Sequence, residues 1–250
     1  MTESCPFLFC TPQKDVNSRI PITQEVEMSI AVLGGEPKSR VAFSAASSRQ
    51  KAKHYSDTAK RMTDLVIASL ALVVAAPVMV LLAVLIAVTS KGGVLYRQER
   101  YGKDRKVFCC YKFRTMRTAD AASEFVQCVK ADARITPVGS FLRRTSLDEL
   151  PQLFNVLDGS MSIVGPRPHP IKLDDEFAPR ISDYDARFGV RPGITGLAQI
   201  RGHRGPTPSD AVMKLRVDAD LEYIQRRGLS FDLWILVSTI PAVFSGCNAF

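Results

Sequence analysis

Two adjacent acids, Asp148 and Glu149, stand in the run SLDELPQLFNVL at residues 146–157. Arg143 and Arg144 precede them, and Arg167 follows a short way on. Two carboxylates among arginines can hold Mg²⁺ and a diphosphate together. One carboxylate can also attack phosphorus and form an acyl phosphate. A structural reading stands beside these. Ser146 and Glu149 fit a capping box, and the positive end of a helix dipole stabilises acids in its first turn. Pro151 argues against a simple cap. It would strain a helix that began at Leu147, and a helix that began at Pro151 would leave both acids ahead of it.

Three further runs carry candidate chemistry. In SIVGPRPHP, residues 162–170, Pro166 and Pro168 bracket Arg167. A segment fixed in this way loses little entropy when it positions one guanidinium. The alternative is an ordinary proline-rich loop. In YKFRTMR, residues 111–117, strand alternation puts Lys112 and Arg114 on one basic face, or on a plain solvated edge. Residues 188–207, FGVRPGITGLAQIRGHRGPT, are dense in Gly and Pro and read as a long functional loop.

These runs need elements to hold them. Residues 65–88 form an apolar stretch of 24 residues without a charge. That exceeds the roughly 20 residues needed to cross a hydrocarbon core as helix. Pro77 lies near its middle, where a proline removes a backbone hydrogen bond and kinks a helix. Lys51, Lys53, Lys60 and Arg61 flank the stretch on one side, and Lys91, Arg97 and Arg100 on the other. Basic flanks resist translocation. A helix that enters, breaks at Pro77 and returns keeps both flanks in the cytoplasm, with arms of roughly 18 Å. A kinked single crossing is the alternative.

Residues 231–244 are apolar but too short to span, and carry Asp232, Ser238, Thr239 and Pro241. They read as a surface-lying or core helix, with Trp234 at an interface or in the core. Short strands are expected at 94–96 and 107–112 around the turn Gly102-Lys103-Asp104. Leu147, Leu150, Leu153, Phe154 and Leu157 fall at helical spacing. Residues 212–227 read as a helix ended by Gly228. Residues 1–55 show no sustained period and read as a disordered tail.

The net charge is +8, and nine Lys or Arg lie between Lys91 and Arg117 against Glu99 and Asp104 alone. Such a block suits an anionic lipid surface or a phosphate-bearing substrate. It lacks the aromatic and glycine pattern of an RNA-binding sheet and zinc-finger spacing, so no nucleic acid partner is expected. The six cysteines form no C-x-x-C pair, which speaks for free thiols and against structural zinc. The N-terminus has no signal-peptide pattern, so the catalytic part is expected in the cytoplasm.

Taken in order, KRMTDLVIASLALVVAAP, VLYRQERYG, KFRTM, RITPVGSFLRRTSLDELPQLFNVLDGSMSIVGPRP and VRPGITGLAQIRG resemble the bacterial sugar transferase family. These are the monotopic polyprenyl-phosphate phosphoglycosyl transferases. The resemblance runs from Lys60 to the C-terminus. It implies an α+β, helix-rich fold: a tail (1–55), a re-entrant membrane helix (56–90) broken at Pro77, and a cytoplasmic catalytic domain (91–250) with an interfacial C-terminal helix. It also implies a place on the cytoplasmic leaflet lipids of a bacterial inner membrane, working beside downstream glycosyltransferases. Asp148 and Glu149 match the family's acid dyad. Asp148 would attack the β-phosphorus of a UDP-sugar and release UMP, and undecaprenyl phosphate would then take the phosphosugar. Mg²⁺ would sit next to Asp148, with Glu149 supporting metal or proton handling. Arg167, within Pro166-Arg167-Pro168, would help hold the nucleotide, and Lys112, Arg114 and Arg144 would contact phosphates.

Members similar in the PGITGLAQIRGHRG region use UDP-glucose or UDP-galactose, so a hexose 1-phosphate is expected. Two departures stand out. Ala76-Pro77 replaces a common Ser-Pro, and Leu197 lies near a position that is often aromatic. A non-catalytic assembly scaffold or a membrane phosphatase using Asp148 are the competing readings, and the intact dyad speaks against the first.

Overall fold

The computed structural model describes residues 56–90, 92–117 and 132–244. The tail expected at 1–55 lies outside these. Among the described residues the chain forms seven α-helices and four short strands, an α+β, helix-rich arrangement.

Helix α1, Asp57–Thr89, starts where the Ser56 side chain accepts from the Ala59 N–H. It is long and apolar enough to cross a membrane, by length and composition. Its burial follows one stripe. Asp64, Ala68, Met79, Leu82 and Ile86 are buried, at spacings that fall on one helical face. The opposite face is bare and apolar, with Val73, Val74 and Val88 each about three-quarters exposed (74, 78 and 75%). An apolar face of this extent on a folded protein marks a membrane or partner surface.

The sequence predicts a break and return at Pro77. The structure has one helix that runs through Pro77. The reason lies in the packing on either side. Ala68 joins a core cluster with Leu153, Val156 and Ile235, while Met79, Leu82 and Ile86 join a second with Phe113 and Leu142. Both halves of α1 are therefore seated on the same body, which limits how far the proline can bend them apart.

Strands β1 (Leu95–Tyr101) and β2 (Val107–Phe113) form an antiparallel hairpin with Tyr96 opposite Lys112. The strands are longer than their polar sequence suggests. The connection uses left-handed backbone at Asp104 (φ 57°) and Arg105 (φ 56°), and the Arg105 guanidinium lies over the Tyr101 and Phe188 rings. Helix α2 (Pro137–Thr145) is capped by Thr136 and ends at Ser146. A one-turn helix, Leu147–Glu149, leads into α3 (Gln152–Asp158).

Strand β3 (Ser162–Val164) pairs in parallel with β4 (Gly193–Thr195). Beyond them Gly165 and Gly193 touch so closely that a Cβ on Gly193 would lie 2.1 Å from the Gly165 nitrogen. Only glycine permits that approach. Helix α4 (Ile171–Phe177) and a 3-10 turn at Tyr184–Gly189 precede β4, and the four-residue α5 (Leu197–Ile200) follows it. The stretch 188–207 is thus only partly irregular.

Helix α6, Asp210–Arg226, lies within two residues of the expected span. Helix α7, Leu229–Phe244, buries Asp232 and Ile235 and exposes Leu233, Trp234, Val237 and Ile240. Trp234 is 51% exposed and stacks on Phe231, so it is not a core residue.

Buried charge fixes α1 to this body. Asp64 accepts from the Ser162 hydroxyl (2.8 Å) and the Ile163 N–H (3.1 Å), and pairs with Lys60 (3.0 Å). Lys60 also reaches Asp232 on α7 (2.8 Å). Arg61 donates to the Val156 and Leu157 carbonyls near the end of α3, where a cation complements the helix dipole.

Candidate active site

The acids sit at a forced turn. Ser146 ends α2 in left-handed backbone (φ 58°, ψ 15°), an unfavourable conformation for a residue with a Cβ. The capping box that the sequence allows is not formed. The Ser146 hydroxyl makes no cap bond and instead accepts from the Arg204 guanidinium at 2.6 Å. The turn leaves Asp148 and Glu149 ahead of α3, both buried (9% and 7% exposed). Such burial is unusual for carboxylates without partners.

The two acids differ sharply in their partners. Glu149 Oε1 accepts from Lys112 Nζ (2.8 Å) and Arg167 Nη2 (2.6 Å), and Oε2 from Arg167 Nη1 (3.3 Å). Burial alone would push the Glu149 carboxyl up, but Arg167 and Lys112 outweigh it and hold the pKa well below the usual carboxylate range. Asp148 makes no hydrogen bond or ion pair among the described residues. Burial pushes its pKa up, Lys112 opposes this, and the Glu149 charge adds to it. One acid is thus a fixed anion, and the other has its oxygens available.

Arg167 is held from behind at each carbonyl of its loop. The Pro166 carbonyl accepts from the Gly193 N–H (2.8 Å), the Arg167 carbonyl from Arg187 (2.7 Å), and the Pro168 carbonyl from Arg100. Arg187 is buried and is itself held by Asp220 (2.9 Å) and Asp174 (3.1 Å). His169 lies in the same cluster. Burial first, then Arg187 and Arg216, hold it neutral far below the ordinary histidine pKa. The rigidity read from two prolines therefore comes equally from arginines distant in sequence.

The other expected residues separate. Lys112 reaches the site from β2. Arg114 lies just past β2, where its N–H donates to the Val94 carbonyl (2.9 Å) and its guanidinium lies beside Gly93. Arg144 is exposed on α2, whereas the charge of its neighbour Arg143 acts on Asp148. Adjacent helical residues point about 100° apart, so only one of the pair can face the site. Arg204 was not singled out by its sequence context. The only signal available was its place in the Gly-rich run.

Beside Glu149 lies a cavity of about 590 Å³, which its sequence neighbour Asp148 does not line. Ser146, Glu149 and Arg204 line its polar end, and Ala71 of α1 with Thr239 and Pro241 of α7 line another wall. Leu197 is buried in the core and does not line it. Among the described residues no group of three His, Cys, Asp or Glu side chains could enclose a metal ion. Mg²⁺ in phosphate chemistry needs less, one or two carboxylates plus substrate oxygens and water. Both Glu149 oxygens already meet cations, so Asp148 is the carboxylate open to such an ion.

An anion fixed by a lysine and an arginine, next to a buried carboxylate without a partner, is an arrangement that can support phosphoryl chemistry. The family model described as bacterial sugar transferase matches residues 55–246. The chain belongs to that family. A UDP-glucose:undecaprenyl-phosphate glucose-1-phosphate transferase of Klebsiella pneumoniae is 44% identical over 76% of this chain and 41% of its own length. A protein of the same description from Caulobacter vibrioides is 44% identical over 78% of this chain and 73% of its own. An exopolysaccharide production protein of Rhizobium leguminosarum is 45% identical over 72% of this chain and 92% of its own. The chain thus spans about two fifths of the Klebsiella relative and most of the other two.

Proposed function

We propose that this bacterial sugar transferase moves a hexose 1-phosphate, with glucose favoured, from a UDP-sugar to undecaprenyl phosphate. The observation that carries the reading is the unequal acid pair, Glu149 locked on two cations and Asp148 left open, beside a cavity walled by two apolar helices. The family membership and the naming of two relatives for UDP-glucose support it.

In this reading Asp148 attacks the β-phosphorus. A carboxylate oxygen–phosphorus bond forms, the diphosphate bridge bond breaks, and UMP leaves with its electron pair. An oxygen of the lipid phosphate then attacks the same phosphorus and the Asp148 carboxylate departs. Splitting the reaction keeps two phosphate-bearing partners from having to meet in one site. Lys112 and Arg167 fix Glu149 and, with Arg143, surround the reacting phosphates with positive charge. Mg²⁺, when bound at Asp148 and the substrate oxygens, would neutralise the diphosphate.

The same reading gives three parts: a tail, a membrane-seated α1, and a catalytic body from residue 91. The bare faces of α1 and α7 lie in the cytoplasmic leaflet of the inner membrane. Because both halves of α1 are seated on the catalytic body, the helix is proposed to dip in and return to the cytoplasmic side, and the product would pass to downstream glycosyltransferases. The test is incubation with radiolabelled UDP-sugars and undecaprenyl phosphate. Lipid-bound hexose label with UMP released is expected. Free phosphate alone would indicate a phosphatase, no turnover a scaffold, and exclusive use of an N-acetylated sugar would refute the hexose assignment.

A further inference from the structure

Arg204 lies on the cavity side of the acid pair, whereas Arg167 does not line the cavity. It reaches from the loop after α5 to the Ser146 hydroxyl, and its charge acts on both Glu149 and Asp148. That hydroxyl is neutral, so the guanidinium keeps donors for an anion. The other cation in the cavity wall, Arg201, is occupied. It holds Glu222 through both terminal nitrogens, at 2.6 and 2.9 Å. Lys112 and Arg167 are likewise committed to Glu149.

The cavity lining is amphipathic. Beyond its charged end the wall is formed by Leu150, Leu153, Ile194 and Ala71, and by Pro241 and Ala242 of α7. The outer faces of α1 and α7 beside that wall are exposed and apolar, including Leu70, Val74, Val237 and Ile240. The Thr195 and Thr239 hydroxyls there are paired with each other at 2.7 Å. A phosphate on a long apolar chain matches this gradient. A nucleotide sugar, polar at both ends, does not.

We propose that Arg204, with Ser146 beside it, binds the phosphate of the acceptor lipid, and that the lipid chain leaves the cavity between α1 and α7. This deepens the proposed function and rests on its two-step reaction. Arg167 and Arg204 then divide the work, one on the inner side of Glu149 and the other facing the membrane side. The acceptor phosphate arrives at Arg204 after UMP has left, within reach of the phosphorus carried by Asp148.

Separating the half-reactions tests this in the full chain. With UDP-glucose alone, Arg204→Ala is expected to keep a UMP burst and adduct, reduced far less than lipid transfer, because its charge only modulates Glu149 and Asp148. With undecaprenyl phosphate added, its KM for the lipid should rise about ten- to a hundredfold, the loss of one charge-assisted contact. Arg204→Lys should recover part of that loss. Equal loss of UMP release and lipid transfer would place Arg204 on the donor instead, and unchanged lipid KM would remove it from the site.

A second measurement needs neither variant nor turnover. Dodecyl phosphate should slow amide exchange of wild-type residues 197–207, while dodecanol and inorganic phosphate at the same concentration should not. Protection elsewhere, or equal protection by dodecanol, overturns the assignment. A wild type without a UMP burst but with this protection would refute the covalent reading and leave the phosphate seat standing.

Discussion

Arg167 grips Glu149 as a fork, Nη2 to Oε1 at 2.6 Å and Nη1 to Oε2 at 3.3 Å, with both side chains less than one-fifth exposed. Bidentate geometry of this kind is specific to arginine. Arg167→Lys keeps the charge and loses the fork. It should lower kcat/KM for the UDP-sugar roughly tenfold or more. Arg167→Ala should in addition destabilise the fold by about 3 kcal/mol, at the low end for a broken buried pair because Lys112 remains on Glu149. Thermal melting and steady-state kinetics check both. Wild-type kinetics in a folded Arg167→Lys protein would make the Pro-Arg-Pro run purely structural.

Lys112 tunes both acids. The Asp148 pKa is raised, by burial first, with Lys112 opposing. Attack requires the anion, so activity should fall as pH drops through that raised pKa. Lys112→Met removes the opposing cation, and the acid limb of the rate profile should move to higher pH. Glu149 has the opposite sign. Its depressed pKa contributes stability that is present above the ordinary carboxylate pKa and lost as pH falls through the folded value. An acid limb that moves down in Lys112→Met would break this account of the pair.

Arg143 and Arg144 provide an internal control on α2. Arg144 is exposed, and Arg144→Ala should stay within about 0.5 kcal/mol of wild type in stability and twofold in rate. Arg143→Ala should slow UMP release, because its charge favours ionised Asp148. The reverse ranking of the two variants would mean that α2 presents its other face to the substrate.

Ser146 carries backbone strain beside the acids, at φ 58°. Ser146→Ala and Ser146→Gly both lose the hydroxyl that Arg204 holds, so their difference reports the backbone alone. The glycine variant should be more stable by about 1 kcal/mol. Equal melting temperatures would show that the left-handed turn carries no strain.

Much of this site was legible in the sequence because it is local. The acid pair, the proline that displaces the helix start, and Arg167 between prolines all lie in short runs whose backbone chemistry is fixed by their own residues. Helix α6 was legible for the same reason at its end, which Gly228 marks, whereas the Ser209 cap that starts it was not read. What was missed depends on long-range packing. Arg187, Arg100 and Arg204 come from elements far from the loops they touch, and no spacing rule connects them. Choosing between Arg143 and Arg144 requires the rotation of α2, which is set by contacts such as Leu142 with Phe113. The seating of α1 on either side of Pro77 was not legible, because the two core clusters that hold it are built from residues distant in sequence.

The role of Asp148 as nucleophile is read out by intact mass after exposure to UDP-glucose without lipid. A hexose-phosphate adduct on Asp148 is expected, with up to one UMP released per active site and discharge of the adduct when undecaprenyl phosphate is added. Asp148→Asn, with a neutral amide in place of the anion, should show neither adduct nor burst. Full UMP release by Asp148→Asn, or lipid product formed by the wild type with no adduct at any time, would contradict it.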